Sequence, residues 1–225
     1  MRAKALVSEF VSADARALDL GCGAGHLSFL VASHVASVVA LDPSPGMLVT
    51  VANSASARGL PQIETQLGSA ESLPFPDKAF SLVCTRYSAH HWAQLETAVQ
   101  QMHRVVKPGG YALVIDVLGD DDVLTDTHLQ TWELLRDASH VRNQAAGYWK
   151  SQLTSAGFEV LQDFQWPLRL EFGPWVERMR TPSERVSVIR SMQLGAPREV
   201  QERLSIESDG SFTVRTGLFW AHKSA

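Results

Sequence analysis

The sequence predicts an α/β fold, a mostly parallel sheet with helices on both faces. Two observations predict it. Short strand-like segments at 37–41, 63–67, 80–84 and 111–116 alternate with longer segments of helical spacing, the pattern of β-α units joined by right-handed crossovers. An earlier strand, from about residue 15, ends in Gly21-Cys22-Gly23-Ala24-Gly25, and three glycines in five residues let a strand turn sharply into a helix with no Cβ in the way of a ligand. At 225 residues the chain suits one domain of this class, taken here as 1–225 with a helical cap insertion at about 171–207.

In chain order, Ala3, Leu6, Val7, Phe10 and Val11 give residues 3–12 helical spacing and a short amphipathic lead-in helix. The first strand starts near residue 15 and ends at the glycine turn. A helix follows from about 25 to 34, with Leu27, Leu30 and Val31 inward and its free N–H groups directed back at the turn. The second strand ends in Asp42. Ser44-Pro45 is an N-cap followed by a first-turn proline, and Met47, Leu48, Val51, Ala52 and Ala55 form the apolar stripe of the next helix. The third strand, 63–67, leads into Gly68-Ser69-Ala70-Glu71-Ser72-Leu73-Pro74-Phe75. The fourth, 80–84, runs into Thr85-Arg86-Tyr87-Ser88-Ala89-His90-His91-Trp92. A helix on Leu95, Ala98, Val99, Met102 and Val105 ends at the turn Lys107-Pro108-Gly109-Gly110, which opens the fifth strand.

Residues 119–157 hold an acidic turn and two helices, the second stopped by Gly157, and a sixth strand begins at Phe158. Within 171–207, Thr181-Pro182-Ser183-Glu184 reads as an N-cap, a first-turn proline and a capping-box glutamate, and a shorter helix starts near Pro197. Phe212, Val214, Thr216, Leu218 and Trp220 alternate as a last strand with one buried face.

The glycine turn and Asp42, about twenty residues apart on neighbouring strand ends, make a nucleoside site in which the carboxylate accepts both hydroxyls of a ribose; the alternative is that Asp42 caps the following helix. A dinucleotide fingerprint wants a third glycine where His26 stands, and Asp19 would repel a pyrophosphate but suits the amino group of an amino acid. Met47 either lies on a base or fills core.

The octet Leu18-Asp19-Leu20-Gly21-Cys22-Gly23-Ala24-Gly25 resembles motif I of the class I S-adenosylmethionine-dependent methyltransferases. The stretches at 68–75 and 107–110 are similar to two further landmarks of that family, with Ser69 where an acid is usual. At group level the chain looks closest to the small-molecule enzymes that include the ubiquinone and menaquinone C-methyltransferases. The resemblance implies a three-layer, doubly wound, Rossmann-like fold with a seven-stranded sheet whose last strand is antiparallel. It also implies S-adenosyl-L-methionine as cofactor, with Asp19, Gly21, Cys22, Gly23, Gly25, Asp42, Pro43, Met47, Ser69, Ala70, Glu71 and Arg86 as its contacts. His90 and His91 lie past the fourth strand, where the family's substrates meet the methyl; they are candidate catalytic residues, a base or substrate contacts, with a merely structural pair as the alternative. The family usually carries a longer segment ahead of the first strand, so either Met1 is a late start or the closing segment is short. Two other functions stay open: a non-catalytic module binding the same cofactor, and an NAD-dependent oxidoreductase.

A net charge of −4 gives no footprint for nucleic acid or an anionic membrane, which leaves a small-molecule acceptor as the expected partner and the oligomeric state open. No apolar run reaches the ~18 residues of a membrane span. Cys22 and Cys84 cannot build a disulfide framework, and free thiols point to the cytoplasm. No histidine, cysteine or acid spacing calls for a metal.

Overall fold

In the computed structural model, residues 2–224 are described, and the chain forms the expected α/β fold. The elements run α1 (Arg2–Phe10), β1 (Arg16–Leu20), α2 (His26–Ala32), β2 (Ser37–Asp42), α3 (Pro45–Ala57), β3 (Ile63–Leu67), β4 (Phe80–Arg86), α4 (Leu95–Val105), β5 (Val106–Leu118), α5 (Val123–Arg136), α6 (Ala146–Ser155), β6 (Glu159–Leu170), α7 (Phe172–Arg178), α8 (Ser183–Gly195), α9 (Arg198–Arg203) and β7 (Phe212–His222). One seven-stranded sheet has the order β3-β2-β1-β4-β5-β7-β6. Its pairs β1–β2, β1–β4, β2–β3 and β4–β5 are parallel. The last strand turns back: Gly109 N–H donates to Lys223 O and Lys223 N–H to Gly110 O, so the start of β5 meets the end of β7.

The order places β1 and β4 side by side at the reversal of the winding, where an open α/β sheet binds its ligands. Both are buried almost throughout, which is why they read as continuous apolar runs and not as alternation. The turn at 107–110 is absorbed into β5. The six residues from Val106 to Tyr111 face three from Phe80 to Leu82, so the extra chain forms a bulge, with Gly109 at φ 76°.

The contacts divide the chain into two compact units. The first comprises 1–116, 147–164 and 218–225; the second comprises 117–146 and 165–217. Met1 and Ala225 fall outside the described residues, and with Met1 the question of a late start. The second unit has its own core, in which Leu129 and Trp132 of α5 join Trp175, Ile189, Val200 and Phe212. The rings of Trp132 and Trp175 both meet Phe212 edge-on, at 5.7 and 5.0 Å. Helix α7 escapes the sequence pattern because Gly173-Pro174 looks like a breaker. Proline is tolerated in a first turn, and Phe172, Trp175 and Val176 bury one face. Thr181 is not the cap of α8. That helix begins after Pro182 with no side-chain cap, and the Thr181 hydroxyl donates instead to Arg136 O.

Candidate active site

The glycine turn is held by both neighbours of β1. Gly21, Gly23 and Gly25 all have positive φ, at 62°, 51° and 83°. Cys22 N–H donates to Leu41 O of β2, and Gly25 N–H closes the turn on Cys22 O. Glycine is needed for different reasons along the turn. A Cβ on Gly21 would fall on Ser88 Oγ and 2.6 Å from Ser88 Cβ, and one on Gly25 would meet the Phe29 ring at 2.8 Å and Val51 at 3.1 Å. At Gly23 the same position opens onto empty space. His26, where the dinucleotide fingerprint has glycine, is the exposed first residue of α2.

Asp42 ends β2 and is 7% exposed. Its Oδ2 accepts from Gly23 N–H at 2.9 Å, and its Oδ1 from Ser44 N–H at 2.9 Å. One carboxylate therefore meets the glycine turn and the lead into α3 together, and each oxygen keeps a further lone pair. Asp19 lies deeper, 1% exposed. Its Oδ2 accepts from Ser28 Oγ at 2.6 Å, while Oδ1 is buried with no hydrogen-bond partner. Burial, opposed by the Ser28 hydrogen bonds, raises its pKa to about 7. The Cys22 thiol is pushed up by burial and by Asp19 and Asp42, so it is an inert neighbour and not a nucleophile.

Beyond β3, Gly68 N–H donates to Asp42 O, bringing Ser69 beside the same strand end. Ser69 pairs with Ser72 in an isolated bridge, and Ala70 is buried. Glu71 turns to the protein itself: its Oε1 accepts from Ala93 N–H at 3.0 Å. Pro43 is exposed, and Met47, at 44% exposure, is not core filler. Arg86 stacks its guanidinium over the Tyr87 ring at 4.9 Å. Thr85 and Ser88 both donate to Leu20 O at 3.0 Å, which ties the segment after β4 to the glycine turn. That segment carries His90 and His91 in a single 3-10 turn, Ala89–His91.

Two residues escaped sequence reasoning. Asp116 of β5 accepts from His90 twice, from the backbone N–H and from Nδ1. Arg104 of α4 donates to Phe75 O and Leu73 O and pairs with Asp77, so it staples the stretch after Ala70. An acid within an apolar strand and an arginine on a helix carry no local signature. Among the described residues no group of three or more His, Cys, Asp or Glu is placed to hold a metal ion, and no helix is long and apolar enough to cross a membrane.

Comparison with known proteins gives the family. Residues 18–114 match the family described as methyltransferase domain. The protein YafE of Escherichia coli (strain K12) is 44% identical over 205 residues, 91% of this chain and 99% of that protein. The methyltransferase YcgJ of Bacillus subtilis (strain 168) is 34% identical over 174 residues, 77% of this chain and 68% of that protein. The crystal structure of YcgJ matches with a TM-score of 0.93 over 100% of both chains at 28% identity. A demethylmenaquinone methyltransferase of Thermus thermophilus is 34% identical over 117 residues, 51% of this chain and 53% of that protein. The chain belongs to the S-adenosylmethionine-dependent methyltransferases, and its cofactor is S-adenosyl-L-methionine.

Proposed function

We propose that this enzyme methylates a small-molecule acceptor, with the cofactor seated on the glycine turn between Asp19 and Asp42. The observation that carries the reading is the 2.9 Å hydrogen bond from Gly23 N–H to Asp42 Oδ2. It brings a carboxylate with spare acceptor sites to a turn whose central glycine faces open space. The residues present fit the cofactor. Asp42 is placed to accept ribose hydroxyls, and the partnerless Oδ1 of Asp19 to meet a cationic amino group. Ser69 and Ala70 stand beside the same strand end for the adenine. Bound there, the cofactor supplies an electrophilic methyl on a sulfonium, already a good leaving group. The chain's own work is to align the acceptor with that methyl and to exclude water. His90 and His91 are the residues proposed to face the acceptor. The likeness to the demethylmenaquinone enzyme makes a naphthoquinol ring a first acceptor to try.

Calorimetric titration tests the reading. S-adenosylhomocysteine is expected to bind with micromolar affinity and NAD not at all, and Asp42→Ala is expected to lose the binding. Asp42→Asn, which keeps an acceptor for one of the two backbone N–H groups, serves as the folded control. Binding of NAD in place of S-adenosylhomocysteine would overturn the proposal.

A further inference from the structure

The two adjacent histidines after β4 are held in different ways. The His91 backbone N–H donates to Ser88 O, within the 3-10 turn. His90 is gripped at two points by one carboxylate. Its backbone N–H meets Asp116 Oδ2 at 3.2 Å, and its Nδ1 meets Asp116 Oδ1 at 2.8 Å. Asp116 has a side chain only 2% exposed, whereas the His90 ring keeps 16%. The carboxylate is thus buried, and the imidazole is the more exposed group of the pair.

The sheet produces this arrangement. In the parallel pairing of β4 with β5, Arg86 stands opposite Ile115, and Tyr87 N–H donates to Ile115 O at 2.9 Å. Tyr87 then takes a left-handed backbone, φ 54°, an uncommon conformation for an aromatic residue and one that clusters at functional sites. The reversal at Tyr87 brings His90 back against Asp116, and the His91 ring packs against the His90 ring at a tilt of 48°, with centroids 4.2 Å apart.

The chemistry follows from the partner. An ionised carboxylate only accepts hydrogen bonds, so the proton of a neutral His90 sits on Nδ1 and Nε2 is its basic nitrogen. We propose that Asp116 is a positioning residue for methyl transfer: it fixes His90 so that Nε2 takes a proton from the methyl acceptor. The acceptors that suit such a site shed a proton on methylation, as phenols, enols, hydroquinols and secondary amines do; thioethers and tertiary amines do not. The inference rests on the methyltransferase reading above. In the step, the acceptor's X–H bond gives its proton to Nε2 and its electron pair to the new X–CH3 bond. The pair of the breaking C–S bond stays on sulfur, and the imidazolium formed is held by Asp116.

Nuclear magnetic resonance of nitrogen-15-labelled histidine tests the assignment, on the free protein and with S-adenosylhomocysteine bound. His90→Gln identifies the signals. In the wild type His90 is expected to show a protonated Nδ1 and a pyridine-type Nε2. Asp116→Asn, whose amide both donates and accepts, is expected to abolish that preference, and Asp116→Glu to restore part of it. With methyl-tritiated cofactor and 1,4-naphthohydroquinone as probe, Asp116→Asn is expected to lower kcat about 100-fold or more with KM little changed, the scale of losing general-base catalysis. A wild-type His90 protonated on Nε2, or an Asp116→Asn enzyme as fast as the wild type, would overturn the proposal. Label appearing on thioether or tertiary-amine probes instead would overturn the acceptor class. Failure of S-adenosylhomocysteine to bind counts against the methyltransferase reading, while a wrong tautomer in the free protein counts against Asp116 alone.

Discussion

Asp19 makes stability depend on pH in a direction opposite to that of most carboxylates. It is 1% exposed, one oxygen has no partner, and its pKa is raised from 3.8 to about 7. An acid whose folded pKa is raised is bound to its proton more tightly in the folded state than in the unfolded one. Its contribution is therefore most favourable below the unfolded value, declines as pH rises from 3.8 to about 7, and is flat above that. The full span is about 4 kcal/mol, at roughly 1.4 kcal/mol per pKa unit. Between about pH 5 and about pH 8.5 the part still to be lost is about 3 kcal/mol. Asp19→Asn removes the charge, keeps an oxygen that can accept from Ser28 Oγ, and has no slope of its own. Urea denaturation of both proteins at the two pH values isolates the residue, because every other titrating group is common to them. The wild type is expected to lose about 3 kcal/mol relative to Asp19→Asn across that interval, or roughly 6–12 °C in Tm for a chain of this size. A difference that stays constant with pH would refute the reasoning, since it would mean that Asp19 keeps its charge in the fold throughout.

The remaining predictions concern the turn and its neighbours. Gly21→Ala is expected to destabilise by about 2 kcal/mol or more, from its left-handed backbone and the contact with Ser88. Measured against Ser88→Gly alone, so that the lost Ser88–Leu20 hydrogen bond cancels, Gly21→Ala in the Ser88→Gly background keeps the first cost without the second, and urea midpoints of the four proteins separate them. Ser69→Asp restores the acid usual at that position and is expected to tighten S-adenosylhomocysteine by about 1 kcal/mol, roughly fivefold, as a charged acceptor replaces a neutral one. Calorimetry that finds unchanged affinity would place the Ser69 side chain away from the adenine.

The features legible in the sequence were those in which the backbone itself makes a demand. Gly21, Gly23 and Gly25 all stand at positive φ, and Ser44 caps α3 with Pro45 at its first position, as their residue types announce. Asp42 was legible for the same reason, since the end of a strand beside a glycine turn leaves a carboxylate few other places to go. Its two backbone partners show that holding the lead into α3 does not compete with the proposed binding role. A carboxylate that caps the lead into α3 through Ser44 is thereby fixed in the position from which it faces the turn.

What was not legible depends on pairing at a distance. Asp116 reads as the end of an apolar strand. Its meaning appears only when β4 and β5 align in parallel and the left-handed Tyr87 folds the chain back across a separation of 26 residues. Arg104 is one more polar residue on an amphipathic helix until its guanidinium meets two carbonyls near 30 residues upstream. Glu71 likewise has a partner that no local pattern announces, Ala93 N–H, 22 residues downstream. The cofactor turn follows from local backbone requirements, which one strand–turn–helix unit can satisfy alone. The proton-accepting side needs two strands, a reversal and a buried acid to coincide, and no single segment records that. On the role proposed for the His90–Asp116 pair, substitutions at Asp116 should slow methyl transfer sooner than they loosen the hold on S-adenosylmethionine.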